Sequence, residues 1–291
     1  MSRILVTGAT GLLGTALVPV LAAQGHTVIR HGYKAQADIN MDLCDRNATE
    51  NLLFEAYPDC IVHLAALTNV DTCELDPNLA YQINFVGFNN LCQSLRKHRI
   101  NCHLLHISTD QLYDGLGPHK EDAITIRNTY AFSKFASELA ASSVPSVIVR
   151  TNFFGPSHCS GRSSFSDWLY RGLKRGEPLS VFEDVLFSPL SIVTLCNMLA
   201  KLVIRRPTGV FNLGSNNGMS KADFAFAFAA ALGLPTHTLH RTRCVDMTSL
   251  SARRPSDMRM DCQLFEETMG VALPNLADEI TLIRSHYLEK T

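Results

Sequence analysis

The amino-acid sequence predicts an α/β fold with a doubly wound parallel sheet, because short apolar runs alternate with helical patterns. The helical patterns include Leu79–His98 and Thr129–Ala140. The apolar runs, each short enough to be a buried strand, are Ile4–Val6, Thr27–Ile29, Ile61–Leu64, Leu104–Ile107 and Val147–Val149. Such alternation is typical of parallel strands joined by crossover helices that cover both faces of the sheet.

Three glycines follow the first apolar run, at the point where a helical pattern begins. Glycine lets the backbone turn sharply and approach a pyrophosphate, whose negative charge suits the N-terminus of a helix. The spacing Gly-x-x-Gly-x-x-Gly is one residue wider at its start than the common dinucleotide fingerprint. The segment predicts a dinucleotide-binding turn with cofactor contacts from Gly8, Thr10, Gly11, Leu12, Leu13 and Gly14.

Tyr130 and Lys134 are four residues apart in a predicted helix, so they share one helical face. The lysine charge favours the phenolate and lowers a tyrosine pKa that is ordinarily about 10. Thr109 ends an apolar strand upstream, where α/β enzymes place catalytic hydroxyls. The pattern predicts acid–base chemistry by Tyr130 and Lys134, with Thr109 as a further catalytic candidate; Tyr130 and Lys134 taken alone could also belong to an amphipathic surface helix.

These motifs resemble the extended short-chain dehydrogenase/reductase superfamily, and within it the dTDP-4-dehydrorhamnose reductase-like group. The similarity runs from about Ile4 to about Ile280, with the motifs in the expected order. Besides the glycines and the catalytic trio, the matching segments are Asp71-x-x-Glu74-x-x-Pro77, Asn84 and Arg253-Arg254-Pro255-Ser256.

The resemblance implies a Rossmann-type sheet and a smaller, discontinuous C-terminal substrate-binding domain. The NADP-binding domain would comprise residues 1–155 plus about 188–214. The substrate-binding domain would comprise about 156–187 and 215–291.

The resemblance also assigns roles to the trio. Tyr130 would protonate the oxygen left by hydride transfer, as a general acid. Lys134 would lower the Tyr130 pKa and hydrogen-bond the nicotinamide ribose, and Thr109 would orient the reacting oxygen. Further cofactor contacts are implied beside the adenine and beneath the dinucleotide, from Asp42, Leu43, Ala65, Ala66, Leu67, Asn84, Tyr130 and Lys134.

The end of the second strand bears on the choice of cofactor. Enzymes that use NAD usually place an acidic residue there, whereas an arginine accommodates the 2′-phosphate of NADP. Arg30 stands there, and no acid follows until Asp38. The sequence therefore favours NADP(H) over NAD(H), although Arg30 could also be an ordinary solvated arginine.

Residues expected to contact the substrate help to distinguish between the reactions that members of the superfamily catalyse. Asp110, Phe153 and Arg254 are the expected substrate contacts, and Arg254 binds either a diphosphate or a carboxylate such as Asp257. Dehydratases that resemble this region carry a glutamate after the aspartate, but Gln111 stands here. An amide cannot take the proton that elimination requires, which argues against a dehydratase.

The expected function is NADPH-dependent reduction of a keto group on a nucleotide sugar. A second hypothesis is a non-catalytic, NADP-bound regulatory subunit, because this chain resembles the methionine adenosyltransferase β subunit as well. A nucleotide-sugar epimerase is the third. Phe153, in place of the group's usual tryptophan, keeps the sugar undecided.

The amino-acid composition argues against several other classes of function. The 26 basic and 27 acidic residues nearly cancel, so neither nucleic acid nor a membrane surface is an expected partner. Nine cysteines without zinc spacing indicate reduced thiols, and the histidines form no metal pattern. We expect a cytoplasmic protein without metal. Its oligomeric state stays open, with a homodimer as one option.

Overall fold

A computed structural model describes residues 1–288 and contains the predicted alternation of strands and helices. The strands are β1 (Arg3–Thr7), β2 (Thr27–Gly32), β3 (Ile39–Asn40), β4 (Cys60–His63), β5 (His103–Thr109), β6 (Ser146–Thr151), β7 (Phe153–Phe154), β8 (Leu179–Phe182), β9 (Leu186–Phe187), β10 (Leu190–Ser191), β11 (Gly209–Leu213), β12 (Met219–Ser220) and β13 (Leu239–Thr242). The helices are α1 (Leu12–Ala23), α2 (Arg46–Ala56), α3 (Val70–Leu75), α4 (Pro77–Tyr81), α5 (Gly87–Lys97), α6 (Thr129–Ala141), α7 (Phe165–Arg175), α8 (Ile192–Arg205), α9 (Lys221–Leu232), α10 (Gln263–Met269), α11 (Leu276–Leu282) and α12 (Arg284–Leu288).

The main sheet has seven strands in the order β11-β6-β5-β4-β1-β2-β3. Strand β1 is parallel to both of its neighbours, with Val6 opposite Arg30 on β2 and Val62 on β4. The order of the strands therefore reverses at β1, and α/β proteins bind ligands beyond the carboxyl ends of strands at such a point. The doubly wound fold class is confirmed, and β11 forms one edge of this sheet.

The turn after β1 leaves no space for side chains at two of its glycines. Gly8 has φ +69°, and a Cβ there would lie 2.7 Å from the Ala65 nitrogen. A Cβ on Gly14 would lie 2.5 Å from the Gly8 carbonyl oxygen. Glycine is thus required for close backbone packing, which brings the first turn of α1 to the end of β1.

The predicted helix over 79–98 begins earlier and is interrupted. Helix α4 begins at Pro77, and a π-helical turn at Gln82–Val86 joins it to α5. Turns of this kind add a residue within a helix and are frequent at functional sites. This one carries Asn84.

The chain divides into two compact units. Unit 1 comprises residues 1–109, 128–150 and 196–210; unit 2 comprises residues 110–127, 151–195 and 211–291, described here to 288. Residues 110–127 fall in unit 2, although they lie within the range 1–155 expected for the NADP-binding domain; the expected domain bounds stay a prediction. No helix within residues 1–288 is both long and apolar enough to cross a bilayer.

Each unit has its own apolar core. In unit 1 the strand residues Leu5, Ile61 and Leu104 pack with Leu52 and Leu91 from helices α2 and α5. In unit 2 aromatic side chains dominate, as in the edge-to-face pairs Phe154–Phe224 and Phe228–Tyr287, whose centroids lie 4.8 Å and 5.3 Å apart.

The close packing of the glycine turn predicts unequal costs for two matched substitutions. Gly8→Ala should destabilise the protein more than Gly25→Ala, although both glycines have positive φ (+69° and +83°). A left-handed alanine costs roughly 1–2 kcal/mol at either position. Only Gly8 meets backbone, because the nearest atom to a Cβ on Gly25 is 3.8 Å away.

Overpacking should add about 1–3 kcal/mol at Gly8. Urea unfolding of the two variants measures the difference directly. Equal losses would show that the turn can relax and does not depend on this contact.

Candidate active site

The three predicted catalytic residues all lie in unit 1, and all are buried. Thr109 is 4% exposed at the end of β5, while Tyr130 (8%) and Lys134 (2%) lie one turn apart on α6. Helix α6 begins after Asn128, whose side chain accepts a hydrogen bond from the Ala131 amide at 2.8 Å. A buried ammonium one helical turn from a buried phenol fits an acid–base role better than a surface helix.

The Lys134 ammonium is poorly solvated. Its Nζ lies 3.5 Å from His106 Nε2, and burial lowers the pKa of Lys134 to about 8, although Glu138 opposes this shift. The pKa of His106 is lowered well below its ordinary value by burial and by the Lys134 charge, so the imidazole is neutral at pH 7. The neutral His106 therefore adds no positive charge to that of Lys134.

Asn84 connects the segment after β4 to the helix of the catalytic residues. Its Oδ1 accepts from the Leu67 amide (2.7 Å), and its Nδ2 donates to the Leu67 carbonyl (3.0 Å) and to Ser133 Oγ (2.9 Å). Ser133 in turn donates to the Tyr130 carbonyl at 2.8 Å. Both polar atoms of the Asn84 side chain, which was predicted to contact the cofactor, thus bond to other residues of the protein. Through these bonds Asn84 fixes Leu67 relative to Tyr130.

The remaining residues predicted near the cofactor differ in exposure. Asp42 is exposed and caps its own turn by accepting from the Cys44 amide at 2.9 Å. Leu43 is buried, and its carbonyl accepts from Asn90 and Thr49. Ala65 packs against Gly8, as described above. Ala65 thus supports the glycine turn, whereas the Leu43 side chain belongs to the core.

The structure adds a partner to Arg30 that the sequence spacing concealed. Arg30 donates to Asp38 through Nη2 (2.6 Å) and Nε (3.2 Å), and its backbone amide donates to the same carboxylate at 2.9 Å. The Asp38 amide returns a bond to the Arg30 carbonyl at 3.0 Å. Arg30 and the first acid that follows it, Asp38, therefore form an ion pair at this strand end, and the preference for NADP(H) stays a prediction.

Unit 2 contains the predicted substrate residues. Asp110 is buried and accepts from Asn152 Nδ2 at 2.6 Å, and Phe153 lies in β7. Arg254 lines a cavity of about 330 Å³ and donates to the Ala252 carbonyl at 3.0 Å. Other polar residues that line this cavity are Asp114, Asp184, Cys244, Arg253 and Ser256.

Asp257, the carboxylate that the sequence offered as a partner for Arg254, is bonded to a different cation, Arg259. Asp257 accepts from Arg259 Nη2 at 2.6 Å and from the Gly117 amide at 2.9 Å. Gln111 is buried, and its amide donates to Met258 Sδ at 2.9 Å. The position that holds an acid in dehydratases is therefore occupied by an amide with a fixed contact.

Lys221 was not among the site residues predicted from the sequence, but it lies near the predicted substrate residues in its electrostatic effects. Its Nζ lies 5.8 Å from the centroid of the Phe165 ring. Although part of its side chain is exposed, burial of the ammonium lowers the pKa of Lys221; Asp110 opposes the shift and Arg254 adds to it. Lys221 is thus electrostatically coupled to two predicted substrate residues, Asp110 and Arg254. Its place directly after the N-cap Ser220 was the available sequence signal.

Comparison with known proteins identifies the family, because the pattern described as RmlD substrate binding domain matches residues 1–288. The chain belongs to this family. The dTDP-4-dehydrorhamnose reductase-like resemblance is thereby confirmed, and so is the class of NAD(P)-dependent oxidoreductases within the extended short-chain dehydrogenase/reductases.

Three relatives illustrate its range. Spore coat polysaccharide biosynthesis protein SpsK of Bacillus subtilis is 30% identical over 247 residues, 83% of each chain. Methionine adenosyltransferase 2 subunit beta of Bos taurus is 28% identical over 296 residues, 92% of this chain and 83% of that protein. The dTDP-4-dehydrorhamnose reductase of Aggregatibacter actinomycetemcomitans is 28% identical over 288 residues, 93% and 94% of the two chains.

A solved structure supports the fold of the whole chain. The dTDP-4-dehydrorhamnose reductase of Bacillus anthracis, in complex with NADP, has a TM-score of 0.86 at 23% identity. The match covers 100% of this chain and 99% of that one. At this identity the likeness establishes the shared architecture.

Proposed function

We propose that this protein is an NADPH-dependent reductase of a keto group on a nucleotide sugar. The observation that carries the proposal is the buried pair of Tyr130 and Lys134 on one face of α6, with Thr109 at the end of β5 in the same unit. The relatives named as reductase and as polysaccharide biosynthesis protein support a nucleotide-sugar substrate. Nine free cysteines fit the reducing cytoplasm, which remains our expectation.

The residues of unit 1 fit a dinucleotide. The close backbone packing at Gly8 and Gly14 brings the first turn of α1 to the end of β1, and the N-terminus of a helix suits the negative charge of a pyrophosphate. When bound, the reduced nicotinamide supplies the hydride. Arg30 would hold the 2′-phosphate, and the Lys134 ammonium would donate a hydrogen bond to the nicotinamide ribose.

The protein's own contribution is to control a proton and an oxygen. The Tyr130 phenol would donate its proton to the alkoxide that forms, and the nearby Lys134 charge favours the resulting phenolate. Thr109 would hydrogen-bond the same oxygen and orient it. In unit 2, Asp110, Phe153 and Arg254 would contact the substrate, with Arg254 directed to the diphosphate.

The proposed activity can be tested on a panel of keto nucleotide sugars. Incubation with NADPH should consume its 340 nm absorbance with at least one 4-keto-6-deoxy sugar nucleotide, and mass spectrometry should find the corresponding alcohol. An epimerase would instead interconvert sugars without net consumption of NADPH. No absorbance loss with any member of the panel would count against the proposal.

The similarity to methionine adenosyltransferase 2 subunit beta favours a second function, a regulatory subunit. Departures on the substrate side, such as Gln111 and Phe153, add weight to it. A stoichiometric complex with a methionine adenosyltransferase, unaffected by Tyr130→Phe, would support this role. A partner-free protein that turns over a keto sugar would remove it.

The role of Tyr130 predicts a separation of catalysis from binding. Tyr130→Phe keeps the ring but loses the acid, so turnover should fall by about 10²–10⁴-fold while NADPH affinity changes little. Lys134→Met should lose both, because Lys134 has two proposed roles. Steady-state kinetics and fluorescence titration measure the two effects.

Tyr57→Phe is the matched control, because this phenol is 77% exposed. It should behave as the wild type in both measurements. Normal turnover of Tyr130→Phe on a proven substrate would require another proton donor.

The Arg30–Asp38 pair predicts opposite effects on cofactor preference. Arg30→Asp should weaken NADPH binding by at least about tenfold relative to NADH, because charge-assisted hydrogen bonds are worth roughly 1.5–3 kcal/mol. Asp38→Asn should strengthen the NADPH preference, since Arg30 is released and a repulsive charge is removed. Both cofactors are titrated by fluorescence. Equal affinities of the wild type for NADPH and NADH would mean that Arg30 does not bind the phosphate.

A further inference from the structure

A set of buried charged and polar groups surrounds Lys134 within unit 1. Glu138 lies one turn after it on α6, and both side chains are buried. The groups that face this part of the helix from the sheet are Arg150 on β6, His106 and Ser108 on β5, and His63 on β4. On α3, Glu74 accepts from the Thr129 amide at 2.9 Å, more than one turn before Lys134.

The Glu138 carboxylate is fixed by two strands. Arg150 donates to it through Nε (3.0 Å to Oε1) and Nη2 (2.7 Å to Oε2), and both side chains are 3% exposed. Ser108 Oγ donates to Oε1 in a short hydrogen bond. Because Ser108 directly precedes Thr109, this carboxylate connects α6 to the strand end that carries the predicted catalytic hydroxyl.

The histidines near Lys134 do not provide a counter-charge. Ser137 Oγ donates to the Lys134 carbonyl (2.6 Å), so toward His106 it accepts from Nε2–H (2.9 Å). Burial and the Lys134 charge lower the pKa of His106 well below its ordinary value, so the ring is neutral; with the proton on Nε2, Nδ1 carries none, and it has no hydrogen-bond partner within residues 1–288. His63 is neutral as well, because burial and the Lys134 charge lower its pKa well below the ordinary value.

Charge balance therefore depends on Glu138. The set contains two buried cations, Lys134 and Arg150, and one buried carboxylate. A cation removed from water loses its proton more readily unless a negative charge lies near it. The burial that lowers the pKa of Lys134 is opposed by Glu138 alone among the groups that act on it in the described part of the chain.

We propose that Glu138 is a positioning residue for the proposed reaction: held by Arg150 and Ser108, it keeps Lys134 protonated beside Tyr130 at neutral pH. The inference rests on the proposed function only for the use made of that charge. The electrostatic coupling itself is a property of the folded chain and can be measured without any substrate.

A double-mutant cycle with Lys134→Met and Glu138→Gln tests the coupling in the full-length protein. At pH 6.5 the coupling should be about tenfold or more in the unfolding equilibrium constant, because both charges are present. At pH 9.5, above the Lys134 pKa of about 8, it should fall below about twofold, since the amine is neutral. A merely structural Glu138 would give a coupling that does not change between these pH values, and this result would overturn the proposal.

Two further variants serve as a control for the double-mutant cycle and as an alternative background in which to measure it. Glu50→Gln on α2 removes a carboxylate bonded to Lys97 and should show no coupling to Lys134→Met. Glu138→Gln leaves Arg150 buried without its partner and could unfold the protein. In that event the cycle is measured in the Arg150→Met background, where the same loss of coupling between pH 6.5 and 9.5 is expected and its absence overturns the proposal.

NADPH affinity provides a second readout. If Lys134 binds the ribose as an ammonium, affinity should decline as pH rises through its pKa. Glu138→Gln lowers that pKa, so the decline should occur about one pH unit lower, with affinity at pH 6 nearly unchanged. An unshifted midpoint in a folded variant would overturn the proposal. Neither measurement uses a keto sugar, so a failed substrate panel would leave this inference standing, and the reverse also holds.

Discussion

A lysine ammonium buried one helical turn from a buried tyrosine is the constraint around which unit 1 is organised. Lys134 is 2% exposed, and a charge in that position destabilises the fold unless neighbouring groups compensate. Its retention is better explained by chemistry than by stability, because an apolar residue would pack there at lower cost. The buried Glu138–Arg150 pair and the bond from Asn84 to Ser133 fix groups on both sides of Lys134 along α6.

The parts of the fold that sequence could predict are those set by local patterns. Strands β4 and β5, and β1 after its exposed first residue Arg3, are mostly buried runs whose polar residues are histidines and hydroxyl residues near the strand ends, so their apolar character was visible. The glycine turn was visible for a related reason, since backbone contacts such as Gly8 with Ala65 tolerate no other residue. The Tyr130–Lys134 spacing follows directly from the helical repeat.

The features that sequence did not reveal depend on contacts between distant residues. Arg30 and Asp38 are eight residues apart, and only the turn between β2 and β3 brings them together. The Asn84 bonds to Leu67 and Ser133 span 17 and 49 residues, so the composition of the helix gave no sign of them. Lys221 is coupled to Asp110 and Arg254 across more than thirty residues in each direction.

The proposed function assigns the proton transfer to unit 1 and the substrate contacts to unit 2. Proton transfer needs few atoms in fixed places, and in unit 1 buried hydrogen bonds around Lys134 and Asn84 provide that rigidity. In unit 2, a fixed polar contact argues against the elimination of water. Gln111 has an amide where elimination would need a carboxyl group, and its nitrogen is already bonded to Met258. With Tyr130 and Lys134, the chain has a phenol and an ammonium that could protonate an alkoxide. With Gln111, it lacks the carboxyl group that would eliminate water at this position. This combination of residues therefore favours reduction over elimination, in agreement with the proposed function, in which Arg254 would contact the substrate.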